Sequence, residues 1–169
     1  MKKYLVSLLL AFALVLMPAV SVLAATDADI TVTATPAYVA IADNATAYDF
    51  GIVAASTNYT TSTDLVAITN TSTVQTDITI SVTTNTWSGG VTWTHSDTAT
   101  AGADTAGLVS NNDTFGAGDV IAKYTAPNYI YENCPAGINF NYGLKLVAPS
   151  IFGDGVEKEI EVRVTAAAG

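Results

Sequence analysis

The sequence predicts an all-β protein, a two-sheet antiparallel sandwich of immunoglobulin-like or Greek-key type, with a jelly roll as the alternative. Three observations predict it. Residues 74–82 and 138–146 largely alternate apolar and polar side chains, the period-two signature of strands with one wet face. Clusters of Gly, Asn, Asp, Ser and Pro punctuate the chain at short intervals. No run after residue 24 keeps a helical period.

The first element is set apart from the fold. Lys2 and Lys3 precede the apolar run 5–17, and Pro18 leads to a small-residue exit at Val22, Leu23 and Ala24, the three-region layout of a secretory signal peptide. The uncharged run is shorter than the roughly 20 residues that a membrane-spanning helix needs. Cleavage after Ala24 is therefore expected, leaving residues 25–169 as a single β-sandwich domain. A chain of that size buries roughly 70% of its unfolded surface and folds without disulfides. No cysteine stands at the cleavage point to carry a lipid, and residues 164–169 form no second apolar span. The mature chain is thus expected to be secreted or held at an extracellular surface, with no membrane insertion.

Charge narrows the partners. The chain has 6 Lys and Arg against 15 Asp and Glu, a net charge of −9, and Lys2 and Lys3 leave with the leader. The remaining cations, Lys123, Lys145, Lys158 and Arg163, are dispersed, which excludes a nucleic-acid surface. An acidic coat rich in Thr and Asn suits a soluble extracellular surface and repels an anionic membrane.

The strands follow in order. Residues 30–34 alternate as a first strand ending before Pro36; residues 38–42 form a second, and Asp43-Asn44 a turn. Tyr48, Phe50 and Ile52 alternate with Asp49 and Gly51 as a third strand, and residues 54–63 read as a polar loop containing Tyr59. Residues 65–68 are apolar on both parities and read as a deeply buried strand. The turn residues 70–73 lead to residues 74–82, where Val74, Ile78, Ile80 and Val82 share one face. This pair is expected to form a hairpin or a sandwich corner at the heart of the domain. Val91 and Trp93 share a face beyond the Ser88-Gly89-Gly90 turn. Residues 96–118 lack sustained alternation, and a short strand over 107–110 is expected inside them because long structureless loops are unusual in compact domains. Residues 119–125 and 129–132 read as further strands before the Cys134-Pro-Ala-Gly137 turn. Ile138, Phe140, Tyr142, Leu144 and Leu146 then face inward, and Pro149 ends the run. The last strand is expected over 156–164, with Val156, Ile160, Val162 and Val164 inward, Lys158 as a polar intrusion, and Glu157, Glu159 and Glu161 outward, where they discourage aggregation.

Two blocks resemble a group of uncharacterised secreted bacterial β-sandwich proteins: VTWTHSDTATAGADTAGL at 91–108 and YGLKLVAPSIFGDGVEK at 142–158. That resemblance implies the fold and export but carries no activity. More loosely, FGIV at 50–53 followed by ITNTS at 68–72 is similar to the layout of camelysin and biofilm-fibre-type surface proteins.

Catalytic chemistry has little to work with. His95 is the single histidine; Asp97 two positions on makes a His–Asp contact conceivable, but no Gly-x-Ser-x-Gly elbow accompanies it, and His95 reads as structural or solvent-facing. One His and one Cys are too few for a zinc site. Cys134 has no intrachain partner and reads as a small, partly buried hydrophobe, with intermolecular pairing or a reactive thiol as alternatives. Calcium is the more plausible ion: Asp97, Asp104, Asp113 and Asp119, with Asn111 and Asn112, fall in or beside the long loop, although they lack the spacing of a dedicated calcium loop. Trp93 reads as core, whereas Trp87 and Tyr59 are candidate ring platforms for a sugar. Asn44, Asn58, Asn70 and Asn112 each begin an Asn-x-Ser/Thr triplet, which reflects Thr and Asn richness rather than glycosylation.

The expected function is that of a non-enzymatic structural or cell-surface protein, not an enzyme and without a required cofactor. It is expected to act through its faces and edges and to associate with itself by strand addition, with residues 26–34 as one donor segment. The alternative is a carbohydrate-binding module that recognises a cell-surface glycan.

Overall fold

The structure, a computed structural model, describes residues 33–34, 36–45, 47–116 and 118–169. The expected leader and most of the expected first strand lie outside the described residues; Thr33 and Ala34 are exposed and in no strand. The chain divides into two units, Met1–Thr35 and Pro36–Gly169, and every described strand belongs to the second. No helix among the described residues is long and apolar enough to cross a membrane.

The second unit is all-β, built from two sheets. The strands are β1 (Ile41–Asp43), β2 (Asn58–Thr60), β3 (Val66–Asn70), β4 (Thr76–Val82), β5 (Thr86–Trp87), β6 (Trp93–His95), β7 (Thr105–Asn111), β8 (Val120–Ile121), β9 (Asn128–Cys134), β10 (Asn139–Val147) and β11 (Val162–Ala168). The large sheet runs β1-β3-β10-β7-β6-β5, with β2 also on β10 and β8 also on β7; the small sheet is β11-β4-β9. All pairs are antiparallel except β6 and β7, which run parallel.

The corner between β3 and β4 joins the two sheets. It is a sandwich corner and not a hairpin, because β3 pairs with β1 and β10 while β4 pairs with β11 and β9. In β4 the alternation is complete: Thr76, Ile78, Ile80 and Val82 are buried and Asp77, Thr79 and Ser81 are not. β3 also alternates, with Val66, Ile68 and Asn70 buried, so the sequence reading of burial on both parities is corrected. Ile68, Ile78 and Ile80 are fully buried at the centre of the core; each such side chain contributes about 1.5–3 kcal/mol by leaving water.

Asn70 holds the corner. It is fully buried, and its Nδ2 donates to Cys134 O at 2.8 Å and Pro135 O at 3.1 Å while its Oδ1 accepts from Ser72 N at 3.0 Å. Its own amide donates to Ile138 O at 2.9 Å and its carbonyl accepts from Gly137 N at 2.8 Å. One side chain thus ties the β3–β4 corner to the β9–β10 turn, leaving few buried polar groups there unpaired.

β10 is the spine of the large sheet. β3 and then β2 follow one another along one side of it, and β7 takes the other. Tyr142, Leu144 and Leu146 are buried and Phe140 packs on the core as expected, but Ile138 lies exposed before the strand begins. Gly143 sits where β2 gives way to β3, and a Cβ there would collide with the Ser62 carbonyl. β7 is buried on both faces, which is why it shows no alternation: Gly107 lies 2.7 Å, measured from an added Cβ, from Ala99 Cα in the covering loop.

Several boundaries differ from expectation. Residues 48–52 form no strand; Phe50 packs on the core, but Ile52 is 99% exposed, because no neighbouring backbone pairs with the segment. β2 lies inside the expected polar loop, where the bare edge of β10 recruits it. The strand expected over 119–125 shortens to Val120–Ile121, and that over 129–132 lengthens to Asn128–Cys134. The last strand is displaced toward the end of the chain: Val156 is 54% exposed, and residues 157–160 instead pass β5, with Glu159 bridging Ser88.

Candidate functional site

The chemistry-bearing side chains lie in three places, in each of which the local fold uses most of their bonding capacity, and a fourth place is a strand edge. The first is the β5–β6 hairpin, where Trp87 pairs across the ladder with Trp93. Their rings lie 6.0 Å apart, and Phe152 stacks on Trp93 at 5.3 Å with an interplanar angle of 15°. Trp87, the candidate ring platform, is only 6% exposed, so that reading is corrected: it belongs to the core. The Gly89-Gly90 turn, with φ values of 94° and 52°, brings the two indoles together. The symmetrical placing of the two Trp residues around that turn was the sequence signal for this hairpin.

His95 continues the hairpin and is buried. Its Nε2 lies 2.7 Å from Ala122 O; a carbonyl only accepts, so Nε2 carries the proton and Nδ1 is bare. Nδ1, like the two indole N–H groups, has no hydrogen-bond partner among the described residues. Burial pushes the imidazole below its ordinary value, against the opposing pull of the Ala122 carbonyl and the Asp97 carboxylate. The conceivable His95–Asp97 contact exists at 3.9 Å, but it faces the nitrogen already committed to Ala122. Asp97 in turn accepts from Tyr124 N at 2.6 Å and from Thr125 N and Oγ1 at 3.0 and 2.5 Å. Burial raises the Asp97 carboxyl, and those three hydrogen bonds outweigh it, so the group sits below its ordinary value. Asp97 therefore fixes the turn after β8.

The second place is beneath the Gly89-Gly90 turn. Lys158, the polar intrusion in an apolar parity, has a side chain only 3% exposed; its Nζ bonds Asp154 Oδ1 at 2.6 Å and Gly89 O at 2.5 Å and lies 5.9 Å from the Trp93 ring centre. Asp154 also accepts from the Val91 amide and from Val156 N. The Lys158 hydrogen bond is the main influence lowering the Asp154 carboxyl. Asp104, with φ of 46°, accepts from Gly153 N at 2.6 Å and holds the neighbouring loop.

The third place is the large sheet's β7–β10 side, where Lys145 pairs with Asp119 and lies 5.6 Å from the Phe115 ring centre. Asp119 also accepts from Asn111 Nδ2 and Gly116 N, both at 2.8 Å. Burial raises this carboxyl, and Lys145, Gly116 and Asn111 together bring it below its ordinary value. The calcium candidates are thus distributed: Asp97 at the β8 turn, Asp104 against Gly153, Asp119 on Lys145, and Asp113 in the exposed loop, where its amide bonds Asn111 Oδ1. Among the described residues, no three His, Cys, Asp or Glu side chains are grouped to hold a metal ion.

Two further candidates are also engaged. Tyr59 lies half-buried on β2 against the core, and its hydroxyl accepts from Ala54 N at 2.6 Å. Cys134 is fully buried; burial raises its thiol. Sequence reasoning missed Asn70 as a side-chain bridge and the Lys145–Asp119 and Lys158–Asp154 pairs, whose partners are remote in sequence or fixed by turns.

The fourth place is a strand edge. β11 pairs with β4 in unbroken register from Val162 opposite Val82 to Ala168 opposite Thr76, and no described strand pairs with its far side. The other free edges among the described strands are short or irregular: β1 and β2 have three residues each, β5 and β8 have two each, and β9 carries register shifts against β4. β11 has no Pro, no bulge and a single charge, Arg163, so it lacks the devices that usually blunt an edge. The three glutamates expected to guard this strand precede it. Comparison with protein-family models, with curated proteins and with solved structures gave no match in any of the three.

Proposed function

We propose that this is a non-enzymatic structural or surface protein, exported by its leader, that works by associating with itself through strand addition. The observation that supports this reading most directly is the regular edge of β11, open among the described residues, on an otherwise acidic protein. The engagement of His95, Asp97, Asp119, Asp154 and Lys158 in holding turns and loops supports a scaffold role for them. The rings of Trp87 and Tyr59, on which the glycan-binding alternative rests, pack into the fold.

The test is the size distribution of the purified protein across concentration, by light scattering and electron microscopy. Self-association that grows with concentration is the expected result. Discrete monomers at every concentration would contradict the reading.

A further inference from the structure

We infer that the surface of association is β11 itself, paired antiparallel with β11 of a second copy about a two-fold axis through Thr165. The inference rests on the self-association reading and names its contact.

The ladder to β4 fixes which backbone groups are available. Thr83 N donates to Glu161 O at 3.1 Å and Gly169 N to Gln75 O at 3.2 Å. In an antiparallel pair alternate residues exchange bonds with one neighbour, so Arg163, Thr165 and Ala167 bond toward β4 in the same phase. The N–H and C=O groups of Val162, Val164, Ala166 and Ala168 therefore point away from the sheet. Val162, Val164 and Ala166 also direct their side chains toward the core yet stay only half-buried. A strand added here would cover both.

A second β11 is complementary to these groups. With Thr165 on the axis, Val162 faces Ala168, Val164 faces Ala166 and Arg163 faces Ala167. Every outward N–H and C=O then meets its complement, and each valine faces an alanine. Thr165 faces its own copy at a non-hydrogen-bonded position, where threonine pairs are favourable. Glu161, the nearest acidic side chain, falls opposite Gly169 and Arg163 opposite Ala167, so no like-charged side chains face each other even though the chain carries −9 overall. The product is a continuous six-stranded sheet in which the exposed edge has vanished, a closed isologous dimer.

The test is sedimentation equilibrium of the purified protein, three substituted variants and a deletion of residues 25–35, with circular dichroism to confirm folding. Thr165 is exposed, so Thr165→Glu leaves the monomer intact but sets two carboxylates face to face, weakening the dimer roughly fivefold. Thr165→Lys does the same, and mixing the two variants restores association, because only a Thr165–Thr165 contact turns the pair into an attraction. Ala166→Pro removes an outward N–H that β4 does not use and weakens the dimer roughly thirtyfold or more. Association unchanged in Thr165→Glu and Ala166→Pro, or unrestored on mixing, overturns the inference and leaves self-association standing through another surface. Association lost only on deleting residues 25–35 does likewise and assigns the contact to that segment. A monomer at all concentrations overturns the inference and the reading beneath it.

Discussion

Replacing Asn70 with alanine tests the corner on which both sheets depend. The substitution deletes hydrogen bonds to Cys134 O, Pro135 O and Ser72 N at 2.8–3.1 Å, all at a fully buried position. A net hydrogen bond is worth about 1 kcal/mol, and leaving a buried group unpaired adds to the loss, so Asn70→Ala costs about 3 kcal/mol or somewhat more. Asn139→Ala is the matched control: Asn139 is exposed, and its side chain accepts one hydrogen bond, from Thr69 Oγ1, so its cost stays within about 0.5 kcal/mol. Urea unfolding followed by fluorescence of Trp87 and Trp93 reads both, as a lower midpoint at unchanged slope. An Asn70→Ala midpoint indistinguishable from that of Asn139→Ala would refute the claim that this side chain holds the sheets in register.

The remaining predictions concern pH and packing. His95, the only histidine, lies below its ordinary value of 6.5 because of burial, so the unfolded chain takes up its proton first as pH falls through that value. The stability linked to His95 is therefore flat above about pH 7 and declines below about pH 6.5, a decline that His95→Gln abolishes in urea midpoints measured across that range. A second decline follows in stronger acid. Asp97 and Asp119 are held below their ordinary value of 3.8 by hydrogen bonds that outweigh burial; the stability they contribute is complete above that value and is lost as pH falls through their folded-state values. Gly143→Ala drives a methyl into the Ser62 carbonyl and costs about 1–3 kcal/mol, whereas Gly155→Ala, with no atom within 4 Å of the added carbon, leaves the thermal midpoint unchanged.

What the sequence revealed depended on how each strand meets water. β4 and β10 keep one wet and one dry face, so their period-two pattern and inward residues were legible, and β4's inward face matched at Ile78, Ile80 and Val82. β7 was only glimpsed, because a loop covers its outer face and its small residues Ala106, Gly107 and Ser110 show no alternation. β11 had the right parity at Val162 and Val164, but its alanine-rich second half carries little hydropathy contrast, and the glutamates before it mimicked a longer strand. Tyr48, Phe50 and Ile52 alternate without a partner strand, which shows that alternation needs a neighbouring edge before it becomes structure. At the candidate sites, the isolation of His95 left a structural and a solvent-facing place both open, and the structure buries the side chain. The burial of Trp87 depended on a two-glycine turn, and the corner role of Asn70 depended on a turn brought over from more than sixty residues away.

The central claim, that β11 offers a regular edge which a second copy completes, is tested most directly by amide exchange in β11 at rising protein concentration. In dilute protein, the amides of Arg163, Thr165 and Ala167 are expected to exchange slowly and those of Val162, Val164, Ala166 and Ala168 quickly; at high concentration the second set becomes protected as well. Exchange of Val162, Val164, Ala166 and Ala168 that stays fast at every concentration would contradict the account.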